Sequence, residues 1–214
     1  MSELISLLDE RERAIGRAAE VLRMGELVVA PTDTIYGLFA DAFKPWATAR
    51  VFEIKQRPRS LPLPILVSRP KQAWALSGAV PDAALKLAAA FWPGALTLIL
   101  PENPELDWDL GDRTGTIALR MPSREDLLEI IARVGPVAGT SANPSGRPTA
   151  PDAAGVREAL GDAVALYLDG GMSPGDAGST IVDLSGEELR ILREGPITAE
   201  QVRDAAGGWK AAEG

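Results

Sequence analysis

The sequence contains no cysteine and no histidine. The first absence excludes disulfides, thiolate metal sites and cysteine nucleophiles. The second removes Ser-His-Asp catalysis, histidine-held zinc and any acid/base step by imidazole. Positive charge is also scarce: 22 Lys and Arg stand against 30 Asp and Glu, a formal net charge of −8. Non-specific affinity for nucleic acid comes mainly from neutralising phosphates, so the acidic balance disfavours it, although a local basic cavity is compatible with the total. No uncharged apolar stretch approaches the ~20 residues of a membrane span. The amino-terminal MSELISLLDERER has early acids and no long apolar run, unlike a secretory signal. The expected location is the cytoplasm, with no membrane partner. Glycine-rich loops of the G-x-x-x-x-G-K-[ST] or G-x-G-x-x-G type are missing too, so any nucleotide must be held another way.

What is present suffices for one sizeable domain: 214 residues, 46% hydrophobic and 24% charged. Helical and strand patterns alternate along it. Helical spacing over residues 8–24 places Ile15, Ala18, Ala19 and Leu22 on one face, with Gly25 as the stop. Further helices are predicted over 45–55, where Pro58 prevents extension, over 81–91, and over 123–133 with Ser123 as N-cap. Short strands are predicted at 27–30, 65–67, 97–100, 116–119, 136–138, 164–168, 179–184 and 189–193. Ser185-Gly186 is a hairpin-like signal between the last two. Thr198 and Gln201 suit a capping box that opens a final helix. The expected fold class is α/β: a single domain over 1–206 on a mostly mixed β-sheet with helices on its faces, then a flexible tail at 207–214.

Polar residues cluster after the strands. Pro31-Thr32-Asp33-Thr34-Ile35-Tyr36-Gly37-Leu38 follows a buried strand and either starts a helix or fixes a small polar substrate. Lys55-Gln56-Arg57-Pro58-Arg59 is either a solvated helix end or a phosphate-recognition element. Arg120 ends an apolar strand, where its partner is either a structural carboxylate or a substrate one. Gly139 to Arg147 (GTSANPSGR) offers hydroxyls, an amide and small residues through which backbone N–H groups can approach an anion. Trp92 to Thr97, Gly178 to Asp183 and Leu192 to Gly195 are weaker signals with ready structural explanations. Together these segments predict an anion-binding site assembled from distant parts of the chain.

The ordered series PTDTIYGL, KQRP, WPGALT, ALRMP, TSANPSGRP, STIVD and LREG, from Gly25 to Gly195, resembles the YrdC-like threonylcarbamoyl-adenylate synthases. The resemblance implies a twisted sheet around a large open cavity. It also implies a nucleotidyltransferase that joins L-threonine, bicarbonate and ATP, with Mg²⁺ accompanying ATP, to give threonylcarbamoyl-AMP and pyrophosphate. The product would serve N6-threonylcarbamoyladenosine formation at tRNA position 37, through a tRNA-modifying transferase complex that uses it and with tRNA itself as a further contact. On matching positions, Thr34, Arg120, Ser141 and Ser179 would bind threonine. Lys55, Arg57, Thr116, Asn143 and Arg193 would hold ATP, with Lys55 and Arg57 catalytic and no protein metal ligands. Leu61, Leu66, Gly178 and Pro151 depart from residues frequent in the family. The competing reading is an RNA-binding module of the same fold without synthase activity.

Overall fold

A computed structural model describes residues 2–175 and 177–207; of the tail expected at 207–214, residues 208–214 lie outside the described residues. Ten strands form one sheet among the described residues: β1 (Glu3–Ser6), β2 (Val28–Ala30), β3 (Gly37–Asp41), β4 (Ile65–Leu66), β5 (Leu96–Pro101), β6 (Thr116–Arg120), β7 (Val137–Ser141), β8 (Leu166–Asp169), β9 (Thr180–Asp183) and β10 (Arg190–Arg193). Their order is β1-β8-β2-β3-β7-β4-β6-β5-β9-β10. The sheet is mixed, as expected: β1, β2 and β8 pair in parallel, as do β4 with β6 and β5 with β9. The remaining neighbours, including β9 with β10, are antiparallel. The helices are α1 (Arg11–Arg23), α2 (Pro45–Lys55), α3 (Pro70–Leu76), α4 (Asp82–Phe91), α5 (Glu125–Val134), α6 (Ala153–Leu160) and α7 (Ala199–Ala206). None of them is long and apolar enough to cross a membrane.

Strand side chains alternate between faces, and here each face has its own core. On one face Val28 and Ala30 of β2, Phe39 of β3 and Leu166 and Leu168 of β8 pack with Ile15, Ala18 and Leu22 of α1 and Leu127, Ile130 and Ile131 of α5. On the other, Val29, Leu38, Ala40, Tyr167, Leu98 and Leu119 join Val51 of α2, Leu87 of α4, Val156 of α6 and Val202 of α7. The second core runs under both halves of the sheet. The first, under α1 and α5, draws its strand residues from β1, β2, β3, β4, β7 and β8. Among the described residues no helix of that core covers the face of β6, β5 and β9 on the first side, and this face floors a cavity.

Several local readings need correction. The segment after Pro31 does not open a helix. It turns and pairs back as β3, because Gly37 to Ala40 is buried on both faces of the sheet. Helix α5 starts at Glu125 with Arg124 at its N-cap, and Ser123 is not the cap; its N–H instead donates to Asp33 Oδ1 at 3.2 Å. The strand read at 136–138 runs on through Ser141. Strand β1, the seven-residue α3 and α6 were not predicted at all. The capping box of Thr198 and Gln201 is formed.

Candidate active site

The cavity has a volume of about 440 Å³. Its floor is the uncovered sheet face, with Thr97 and Ile99 of β5, Ala118 and Arg120 of β6 and Ile181 of β9. Its sides come from the loop before β3, the segment after α2, the end of β7 and the end of β10. Gly139 on β7 belongs to this wall; a Cβ there would lie 2.8 Å from side-chain atoms of Leu66 and Phe39. Of the residues singled out from sequence, Thr34, Arg57, Arg120, Ser141, Ser179 and Arg193 line this one space. Lys55 and Asn143 lie behind its wall, and Thr116 faces a neighbouring cavity of about 400 Å³ that shares Pro62, Ile99, Ala118 and Leu192 with it.

One end is built by Thr32, Asp33, Thr34 and Arg120. Thr32 folds the loop on itself: its hydroxyl receives the N–H groups of Thr34 and Ile35, and it is 2.9 Å from the Thr34 hydroxyl. Arg120 is buried and donates from Nε to the Gly94 carbonyl at 3.0 Å, from Nη1 to Thr34 Oγ1 at 3.2 Å and from Nη2 to Asp33 Oδ1 at 2.8 Å. The partner of Arg120 is thus a carboxylate of the chain itself. Beside it, Thr97 and Ser179 share a hydroxyl contact of 2.7 Å. Arg193 fixes the backbone there, donating from Nε and Nη2 to the Ser179 carbonyl at 3.0 and 2.7 Å.

The other wall is organised by Lys55 and Arg57. Helix α2 ends at Gln56 in the left-handed region, φ 51°, which turns the chain so that Arg57 faces the cavity. Arg57 holds its own loop through the Leu61 and Pro62 carbonyls at 2.7 and 3.1 Å. The Lys55 ammonium, only 2% exposed by residue, donates to the Ser141 and Asn143 carbonyls and to Asn143 Oδ1, at 2.5, 2.6 and 2.9 Å. In return its own carbonyl accepts from Ser145 N–H at 3.0 Å. Burial, reinforced by the Arg57 charge, lowers Lys55 from 10.5 to about 8. Desolvation also pulls Arg57, Arg193 and Arg120 below the usual guanidinium value, with Asp33 opposing the effect at Arg120. A site that desolvates cations gains from an anion that restores their favourable environment.

Thr32, Asp33 and Thr97 complete the polar set; the segments that carry them are legible in the sequence, but no individual role is assigned to these three residues there. Thr97 has a usable signal, a hydroxyl near the start of an otherwise apolar strand. Among the departures, Leu61 stands exposed at the rim and Leu66 packs into the wall. Gly178 has a steric reason: a Cβ there would come 2.7 Å from Arg193 Nη2. For Pro151 the structure gives only its carbonyl, which accepts from Ser173 N–H at 2.7 Å.

The open face of this mixed α/β sheet is thus ringed by arginines and hydroxyls, a lining whose chemistry suits anionic, polar ligands. Residues 20–195 match the Sua5/YciO/YrdC family, which bears the description "Telomere recombination", and the chain belongs to that family of threonylcarbamoyl-AMP synthases. A protein of Mycobacterium tuberculosis strain H37Rv is 46% identical over 93% of this chain and 92% of its own length. The threonylcarbamoyl-AMP synthase of Pyrococcus abyssi is 36% identical over 94% of this chain and 61% of its own. The crystal structure of P. abyssi Sua5 complexed with L-threonine superposes with a TM-score of 0.90 at 34% identity, over 99% of this chain and 62% of that one. The chain therefore spans about three fifths of the solved Pyrococcus protein.

Proposed function

We propose that this chain is an L-threonylcarbamoyladenylate synthase, making threonylcarbamoyl-AMP and pyrophosphate from L-threonine, bicarbonate and ATP. The observation that supports it best is the convergence, in one cavity, of the Arg120–Thr34 end with Arg57, Arg193 and Ser141. The first pair suits an amino acid carboxylate and hydroxyl. Ser141 adds a hydroxyl to the amino acid side, while Arg57 and Arg193 suit a polyphosphate, for which Arg offers a planar fork. The kinship with the P. abyssi protein, whose structure is that of a complex with L-threonine, supports threonine as the amino acid.

In this reading the threonine amine and bicarbonate give a carbamate and water. A carbamate oxygen then attacks the α-phosphorus in line, and the bond to pyrophosphate breaks. Such a transfer needs positioning and charge neutralisation more than a proton relay, which a site without histidine can supply. Arg57 and Arg193 hold phosphate charge, and Lys55 shapes the loop from Ser141 to Asn143 against which the nucleotide lies. Thr116, on the neighbouring cavity, fits a more distant part of the nucleotide. The charged lining is cationic, so Mg²⁺ fits as a companion of ATP, held by phosphate oxygens and water. The product would pass to a transferase that modifies tRNA position 37.

The test is pyrophosphate release with each substrate withheld in turn. Release that requires threonine, bicarbonate and ATP together is expected. Release that ignores threonine would sink the reading, and tight RNA binding without turnover would favour a binding module.

A further inference from the structure

Asp33 lies in the loop between β2 and β3, and its Oδ1 is engaged twice. It accepts from Arg120 Nη2 at 2.8 Å and from the Ser123 N–H at 3.2 Å, at the turn into α5. The ion pair is well shielded, with side-chain exposures of 9% for Arg120 and 14% for Asp33. Of the five N–H donors of a guanidinium, Gly94, Thr34 and Asp33 take three, which leaves one on each terminal nitrogen. Two donors on two nitrogens match a two-oxygen anion. Asp33 is therefore not merely neutralising Arg120. It takes up one of the Nη2 donors and fixes how the guanidinium plane is presented.

We infer that Asp33 is a positioning residue: it clamps Arg120 between the β2–β3 loop and the turn into α5, so that the two remaining donors meet the carboxylate of the amino acid substrate. This rests on the synthase reading for the identity of that substrate. Asp33 itself lies outside the cavity lining, whereas Thr34 and Arg120 are both in it. Its role is consequently to set affinity for the amino acid and not to act on the phosphates.

The experiment compares the intact chain with Asp33→Asn and Asp33→Ala. Pyrophosphate release is measured against threonine and against ATP, and threonine binding without ATP is measured by calorimetry. Asp33→Asn retains an oxygen acceptor and the side-chain volume but loses the charge. Its threonine KM should rise roughly ten-fold, with kcat at saturating threonine and the ATP KM within about two-fold. Asp33→Ala should raise the threonine KM further, so that the amide variant counts as a partial rescue. Unchanged threonine KM in both variants would overturn the inference, as would a fall in kcat with KM untouched. Failure of Asp33→Asn to fold would overturn it as well, since the fold and not the guanidinium would then need the carboxylate. If the intact chain binds threonine but releases no pyrophosphate, the synthase reading fails while the calorimetric comparison still decides the role of Asp33. If it binds no threonine, both fall.

Discussion

The ammonium of Lys55 at the end of α2 sits 2.6 Å from the carbonyl oxygen of Asn143, 88 positions further along the chain. The Ser141 carbonyl and Asn143 Oδ1 accept from it as well, with the Ser141 hydroxyl more distant at 3.4 Å, and no carboxylate of the described residues stands among the causes of its lowered pKa. The helix end and the loop after β7 are therefore one unit, tied by a buried cation.

Lys55→Met should leave the Ser141 and Asn143 oxygens without their shared donor. Unsatisfied buried acceptors cost about 1–3 kcal/mol each, partly relieved by loop movement, so a net loss of about 2–4 kcal/mol is expected in urea denaturation. Pyrophosphate release should fall on the order of 100-fold, as for loss of a preorganised electrostatic group. Near-normal turnover in a folded variant would remove Lys55 from the machinery.

The same lysine predicts opposite trends with pH. Its folded value, about 8, lies below the ordinary 10.5. Below about 8 both the folded and the unfolded chain hold the proton, and the cost of burying the charge is fully present. Between about 8 and 10.5 the unfolded chain binds more protons, so this group's contribution to stability rises with pH. Nucleotide binding should instead weaken over that range, because the neutral amine has lost a donor and its charge. Denaturation and ATP-binding titrations from pH 7 to 10, each referenced to Lys55→Met, should diverge in this way.

Gly178→Ala should separate binding from folding. Its Cβ would meet only the far end of the Arg193 side chain, at 2.7 Å. A guanidinium can swing aside cheaply, so stability should change by less than about 1 kcal/mol. Swinging aside breaks the bonds to the Ser179 carbonyl, so the ATP KM should rise several-fold. A large loss of stability without a KM effect would contradict this.

Gly195→Ala should do the reverse. Its Cβ would lie 2.4 Å from the Gly178 carbonyl oxygen and 2.8 Å from the Thr180 amide nitrogen, both backbone atoms. Backbone cannot step aside without moving the start of β9. A loss of about 2–4 kcal/mol or more is expected, seen as a lower thermal midpoint, and a midpoint equal to wild type would refute the close approach.

These contrasts indicate which features local sequence could reveal. Helix α1 and the Thr198–Gln201 cap were legible because their signals lie within a few residues of each other. The antiparallel pairing of β9 and β10 was legible from the short turn between them. Strand β3 was not, since Gly37 to Ala40 is buried on both faces and loses the alternation that identifies a strand. Helix α3, with seven residues, offers too little periodicity to register. At the site, the polar residue types could be read, and the ordered motifs grouped them. The identity of the Arg120 partner could not, because Asp33 is 87 positions away and only the sheet brings them together. Lys55 likewise reads equally as a solvated helix-end cation or a phosphate ligand, and its burial against the Ser141 and Asn143 oxygens emerges only once β7 is placed beside it.

Strand β5 is read on both sides at once. Leu98 and Leu100 anchor the hydrophobic core, while Thr97 and Ile99 floor the cavity. A slip of one residue against β6 would send the leucines into the ligand space and bury the threonine hydroxyl among alkyl groups. The pairing Thr97 with Arg120 and Leu98 with Leu119 is thus itself part of the chemistry. Hydrogen-bond register between two strands decides which atoms a substrate meets, and the leucines under the floor hold that register in place.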